Sequence, residues 1–215
     1  MGLNRRGLGP AFTFKTLTST DISQEEDGDL AEWSGGMNAT VVTDRTISGS
    51  TYAISMDTDG SEQLFSTSFE EIEYRRFSFH LYGEGENGEI IMFDSNAQEP
   101  MFCVFFSGNK DAIYWSDPFA ENTFLEGDDL VGGDRRFGTS ITDSGVNGQY
   151  NHVEVFPDWE QQEADVYLNG SIALQNITWS SASGVPDTCY LTQNDGSSAD
   201  GEVVDQIVAD FGARP

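Results

Sequence analysis

Lysine is almost missing from this chain. Only Lys15 and Lys110 occur among 215 residues, and Lys and Arg together number 10 against 37 Asp and Glu. With so few cations no basic stripe is left to neutralise phosphates, so direct nucleic-acid binding is excluded. Long apolar runs are also missing, and no segment is apolar enough to enter a membrane as a spanning helix. Cysteine is limited to Cys103 and Cys189, in the strand-like runs Met101–Phe106 and Cys189–Gln193. Two cysteines make no disulfide framework, so a free buried pair is expected, with a single bridge as the alternative. His80 and His152 are the two histidines. Both fall in strand-like runs, where a lone histidine is more often structural than catalytic. No phosphate loop of the G-x-x-x-x-G-K type and no serine triad is readable.

Aromatic and acidic residues are abundant. Aromatics make up 12% of the chain, 15 of them Phe, a load that a disordered acidic chain does not carry. At 215 residues a substantial core is available without metals or disulfides. The acids are scattered rather than gathered in a tail, giving a formal net charge of −27 over the whole surface. Such a surface repels itself at low salt and is tolerated when salt screens it, which points to a high-salt protein. An ordinary acidic protein is the plainer alternative.

Along the chain, Met1–Lys15 carries Arg5, Arg6 and Lys15. Arg5-Arg6 raises a twin-arginine export signal, but Gly7–Phe14 is short and broken by Gly and Pro, with no adequate apolar region or cleavage site. Residues 1–20 are therefore expected to be an arm for subunit contacts, through Arg5, Arg6, Phe12, Phe14 and Lys15. Beyond it, short alternating or apolar runs are separated by Gly, Asn, Asp and Ser: Tyr52–Met56, Phe77–Tyr82, Glu89–Phe93, Met101–Phe106, Ala112–Trp115, Asn151–Phe156, Ala164–Leu168 and Glu202–Ala209. Their length and period are those of strands. Asn169-Gly170 between apolar runs marks a two-residue hairpin turn. No helical period is sustained. The expected fold class is all-β, a two-sheet antiparallel sandwich or jelly roll over residues 21–215, with no second domain.

Five segments, in order, carry a family resemblance. They are Glu26-Asp-Gly-Asp-Leu-Ala-Glu-Trp-Ser-Gly, Gly49-Ser-Thr-Tyr-Ala-Ile-Ser-Met, Asn151-His-Val-Glu-Val-Phe-Pro-Asp-Trp, Asp165-Val-Tyr-Leu-Asn-Gly and Val203-Val-Asp-Gln-Ile-Val. Together they resemble concanavalin A-like and laminin-G-like sandwich domains of the kind found in haloarchaea and their viruses, from about Ile22 to Ala209. The resemblance implies two stacked antiparallel sheets. It also implies a structural Ca²⁺ between the opening loop (Glu26, Asp27, Asp29) and the last strand (Asp205), where carboxylates supply hard oxygen ligands. The competing reading is that these are surface acids among many. A glycan site would draw on Tyr114, Trp115, Asp117, Tyr150, Asn151 and Trp159, aromatic faces beside hydrogen-bonding groups. Against it, sandwiches bury Trp and Tyr, and Trp33 and Trp179 are expected in the core. Glycosidases of this fold place two carboxylates on one strand as E-x-D-x-x-E. Glu70-Glu71-Ile72-Glu73-Tyr74-Arg75 does not match and reads as a solvated strand edge, so no catalytic residue is assigned.

Fold alone does not give function. A basic arm and no export signal favour a structural virion protein of a haloarchaeal virus: a turret, decoration or tail-fibre component. Its expected partners are further copies, other virion proteins and host-surface glycan. The alternative is a halophilic carbohydrate-binding module, cellular and non-catalytic, at the cell surface or outside it. A laminarinase-like glycosidase comes third.

Overall fold

Each of the eight runs named above holds a strand. In the computed structural model, which describes residues 19–22, 28–31, 33–35, 38–57, 63–83, 87–107, 111–116, 139–179, 184–193 and 202–215, no described residue is helical. The strands are β1 (Thr20–Asp21), β2 (Ser34–Gly35), β3 (Asn38–Val42), β4 (Ala53–Asp57), β5 (Gln63–Ser68), β6 (Arg76–Tyr82), β7 (Asn87–Asp94) and β8 (Glu99–Ser107). They continue as β9 (Ala112–Ser116), β10 (Thr139–Thr142), β11 (Tyr150–Asp158), β12 (Glu163–Leu168), β13 (Ser171–Thr178), β14 (Thr188–Gln193) and β15 (Glu202–Asp210).

Two antiparallel sheets form the layers. The eight-stranded sheet runs β13-β12-β11-β6-β15-β4-β3, with β1 also on β15; the seven-stranded sheet runs β10-β9-β8-β7-β14-β5-β2. Side chains alternate across a strand, so each sheet sends one set inward. Phe77, Phe79 and Leu81 of β6 meet Phe102, Val104 and Phe106 of β8 in a shared core. Each such side chain taken from water contributes about 1.5–3 kcal/mol. Aromatics gather at one end: the Phe77 ring lies edge-on to Phe102 at 5.4 Å, Phe102 stacks on Trp115 at 5.3 Å, and Trp159 tilts against Trp179 at 5.4 Å. Gly88 has no substitute here, since a Cβ would lie 2.5 Å from the Phe106 ring.

Two local features set which residues face outward. β15 carries a bulge between Asp205 and Val208, with Gln206 at φ 50°. The extra residue lets Val204, Ile207 and Ala209 point into the core while Asp205, Val208 and Asp210 point out. At the β12–β13 turn, Asn169 (φ 51°) and Gly170 (φ 78°) both take the positive φ that a two-residue hairpin of this kind needs. Trp33 and Trp179 are buried, as expected.

Both cysteines are buried and free. Cys103 on β8 stands opposite Ile91 and Cys189 on β14 opposite Met92. β7 lies between them, about 10 Å separates their strands, and their partners point to opposite faces, so a bridge is out of reach. The stretch 69–75 is a correction: it joins β5 to β6 without strand structure, with Glu70, Glu71 and Glu73 exposed.

Candidate functional site

Strand parity and register assemble a polar face on the outside of the eight-stranded sheet. β6 sends Arg76, Ser78, His80 and Tyr82 outward. β11 aligns Tyr150 with Tyr82, His152 with His80 and Glu154 with Ser78. On the other side of β6, β15 aligns Val203 with Tyr82, Asp205 with His80 and Asp210 with Arg76.

His80 and His152 stack face to face, ring centroids 4.2 Å apart and 2° from parallel. His152 Nε2 shares a 2.7 Å hydrogen bond with Ser78 Oγ, and His152 Nδ1 lies 3.9 Å from Glu154 Oε2. Its main-chain N–H donates to Asn169 Oδ1 at 2.9 Å, which ties the hairpin turn to this face. Arg76 sits at the next level. Its Nη1 donates to Glu154 Oε1 at 2.8 Å and its Nε to Asp210 Oδ1 at 2.9 Å, while Nη2 bonds Asp210 Oδ2. This forked grip fixes both carboxylates in place.

The loop 43–51, between β3 and β4, reaches over one end of the face. Ile47 N donates to Asp205 Oδ2 at 2.9 Å, and Tyr150 Oη donates to the Arg45 carbonyl at 2.9 Å. Tyr82 and Tyr150 pack together beneath it, 5.3 Å between centroids. Half-buried His80, His152, Tyr82, Tyr150 and Tyr167 thus share this face with buried Ser78 and Glu154.

The charge states follow from burial and partners. Burial, with the neighbouring His152, lowers His80 to about 4. Burial also lowers His152; Glu154 opposes that shift and Arg76 reinforces it. The stack is therefore neutral at neutral pH. The hydrogen bond to Asp210 raises Arg76 despite its burial. Burial pushes Asp210 up, but hydrogen bonds from Arg76 and Gly212 bring it below the ordinary range. Neutral imidazoles, a hydroxyl and a fixed carboxylate offer both donors and acceptors, with tyrosine rings at the margins.

Of the residues expected at a glycan site, Tyr150 alone lies on this face among those described. Trp115 is a correction: it is 3% exposed, stacked on Phe102, and its Nε1 donates to the Thr178 carbonyl at 3.2 Å. Asn151 is another: it is 2% exposed, and Nδ2 reaches the carbonyls of Val146 (3.1 Å) and Gln149 (3.3 Å). Trp159 packs against the core, with Nε1 on the Tyr74 carbonyl at 2.9 Å. Tyr114 lies beside Phe105 on the far side of the seven-stranded sheet. Asp117, Glu26, Asp27 and the arm residues Arg5, Arg6, Phe12, Phe14 and Lys15 lie outside the described residues.

Calcium finds no donor set among the described residues, where no three His, Cys, Asp or Glu gather to hold an ion. Asp29 is exposed and accepts from the Ala31 N–H at 3.0 Å, while Asp205 is 0% exposed and holds the Ile47 loop. Sequence reasoning passed over Arg76, Ser78 and Glu154 and set both histidines aside. The signal was in the polar positions of Arg76-Phe-Ser-Phe-His-Leu-Tyr and Tyr150-Asn-His-Val-Glu.

No family model and no curated protein matches the sequence. Among solved structures the chain resembles a sialidase (TM-score 0.58, 12% identity), covering 90% of this chain but spanning 18% of that one. It also resembles the Emp47p carbohydrate recognition domain (TM-score 0.50, 13% identity, 90% of this chain and 95% of that one). A third is the Ca²⁺-bound exoplasmic/lumenal domain of VIP36 (TM-score 0.51, 8% identity, 92% and 91%). At such identities the likeness is one of fold, and the chain is an all-β sandwich of two antiparallel sheets.

Proposed function

We propose that this domain binds carbohydrate without turning it over, through the outer face of the eight-stranded sheet. The carrying observation is the His80–His152 stack, beside Ser78 and Glu154 and margined by Tyr82 and Tyr150. A sugar needs matched donors and acceptors with apolar ring faces nearby, and this face supplies both. The likeness of fold to the Emp47p carbohydrate recognition domain supports that reading. Turnover is not proposed because Arg76 holds both Glu154 and Asp210, and Asp210 is shifted away from the protonated form a glycosidase acid requires.

Glycan-array screening in high-salt buffer, followed by calorimetry on the hits, tests the proposal. Binding should weaken by about tenfold in His152→Ala, the loss of one or two polar contacts, with an unchanged circular dichroism spectrum. Absence of any sugar binding, or full binding in both His152→Ala and Tyr82→Ala, would overturn it. The basic arm supports a second, compatible reading, in which residues 1–20 join copies of the domain into a virion surface structure. Light scattering of the chain with and without those residues tests it; a monomer in both cases removes it.

A further inference from the structure

The C-terminal tail leaves the sandwich across this same face. β15 ends at Asp210, held by Arg76, and a Cβ on Gly212 would lie 2.8 Å from Arg76 Nε, so the tail lies close against that side chain. Two residues on, Arg214 Nη1 donates to Asp165 Oδ2 at 2.5 Å. Asp165 belongs to β12, beyond β6 and β11 in the sheet.

Register puts these groups in one row. Asp210 stands opposite Arg76, and Asp165 opposite Phe156. Extending the β6–β11 register places Phe156 opposite Arg76. Strands lie about 4.8 Å apart, so the row spans about 14 Å, a distance that the residues from Asp210 to Arg214 cover when extended. The tail is therefore a strap whose two fixed points straddle Phe156. Phe156 is 2% exposed although it points away from the core, and its ring meets Tyr167 edge-on at 5.4 Å. Tyr167 in turn stands opposite Glu154, within the polar face.

We infer that the sugar-binding face extends beneath the strap as a second, apolar subsite. There Phe156 and Tyr167 receive the apolar face of a further sugar unit, and the Arg214–Asp165 contact closes it. The inference rests on the sugar-binding reading of this face. Arg214 is 51% exposed, which leaves this ion pair weak and open to displacement. Longer glycans then meet the strap, and single sugars do not.

Calorimetry with the methyl glycosides of glucose, galactose and mannose, and their linked di- to tetrasaccharides, tests this on the full chain. In Arg214→Ala, and equally in Arg214→Glu, tetrasaccharide affinity should rise about fivefold while single-sugar affinity stays level, the size of one weak ion pair. Adding Tyr167→Ala should abolish the gain. An unchanged ratio of long to short affinities in both Arg214 variants overturns the subsite and leaves the sugar-binding face standing. Failure of every series to bind the unaltered chain overturns the sugar-binding face and the subsite together.

Discussion

Arg76 shows how much one side chain organises here. It is the cation between Glu154 and Asp210, and each carboxylate is largely buried. Arg76→Ala should cost about 2–4 kcal/mol in urea unfolding, because it leaves partly buried charge without its partner. Arg76→Lys should recover little of this, since an ammonium lacks the fork that grips two carboxylates. The histidine stack gives a pH prediction. A histidine held neutral binds fewer protons than in the unfolded chain. Stability is therefore full above the ordinary value of 6.5 and is lost as pH falls toward about 4. His80→Phe keeps a ring against His152 but removes a titrating group, so its thermal midpoint should decline less over that range; parallel declines would refute this origin. At this scale the sequence showed little of the site. Strand alternation identified which residues share a face, but the meeting of His80 and His152 depends on β6 pairing with β11, about 70 residues away in the chain. Trp115 and Asn151 misled for the opposite reason: their composition suits a sugar site, and only packing reveals that both are buried.

Among the elements, those with strong patterns were legible and the others were not. β6, β7, β8, β11, β12 and β15 announce themselves by alternation or continuous apolarity. β5 (Gln-Leu-Phe-Ser-Thr-Ser) and β10 (Thr-Ser-Ile-Thr) are short and polar, and pairing with stronger neighbours makes them strands. The bulge in β15 was invisible because Val203-Val-Asp-Gln-Ile-Val reads equally well in either register. Gln206 and Ile207 together oppose Phe79, so deleting Gln206 should leave a regular strand with Asp205, Ile207 and Asp210 on their present faces, and the chain should still fold by circular dichroism and fluorescence; loss of the fold would mean that the bulge's local twist is itself required. The Asn169-Gly170 turn was readable, and Gly170→Ala should lower stability by about 1 kcal/mol through its positive φ. Some of the many acids also act at this level. Asp111 accepts the N–H groups of Gly145, Val146 and Asn147 at 2.7–2.8 Å, so it fastens the turn before β11 as well as adding charge. Asn147 and Gly145 lead in lowering its pKa, so Asp111→Asn should speed amide exchange across 143–149, most clearly at neutral pH.

For the molecule as a whole, charge was the most readable property. A net −27 should make the thermal midpoint climb with salt until screening is complete. A flat salt response would mean that paired carboxylates such as Asp210 and Glu154 offset more of the repulsion than the formal charge suggests. The two-sheet architecture was likewise readable, while the order of strands was not, because it is set by partners far apart in sequence. That order bears on how the chain reaches its fold. β15 occupies an interior position in its sheet, between β6 and β4 and touching β1, although it is last in the chain. Until residues 202–210 arrive, β6 and β4 have no common neighbour and Phe77, Phe79 and Leu81 lack part of their cover. Closing the sheet thus requires bringing together segments separated by more than a hundred residues, a large entropic cost met before the contacts that offset it. Folding should be slow and all-or-none, and shortened chains that stop before Glu202 should collapse without becoming ordered.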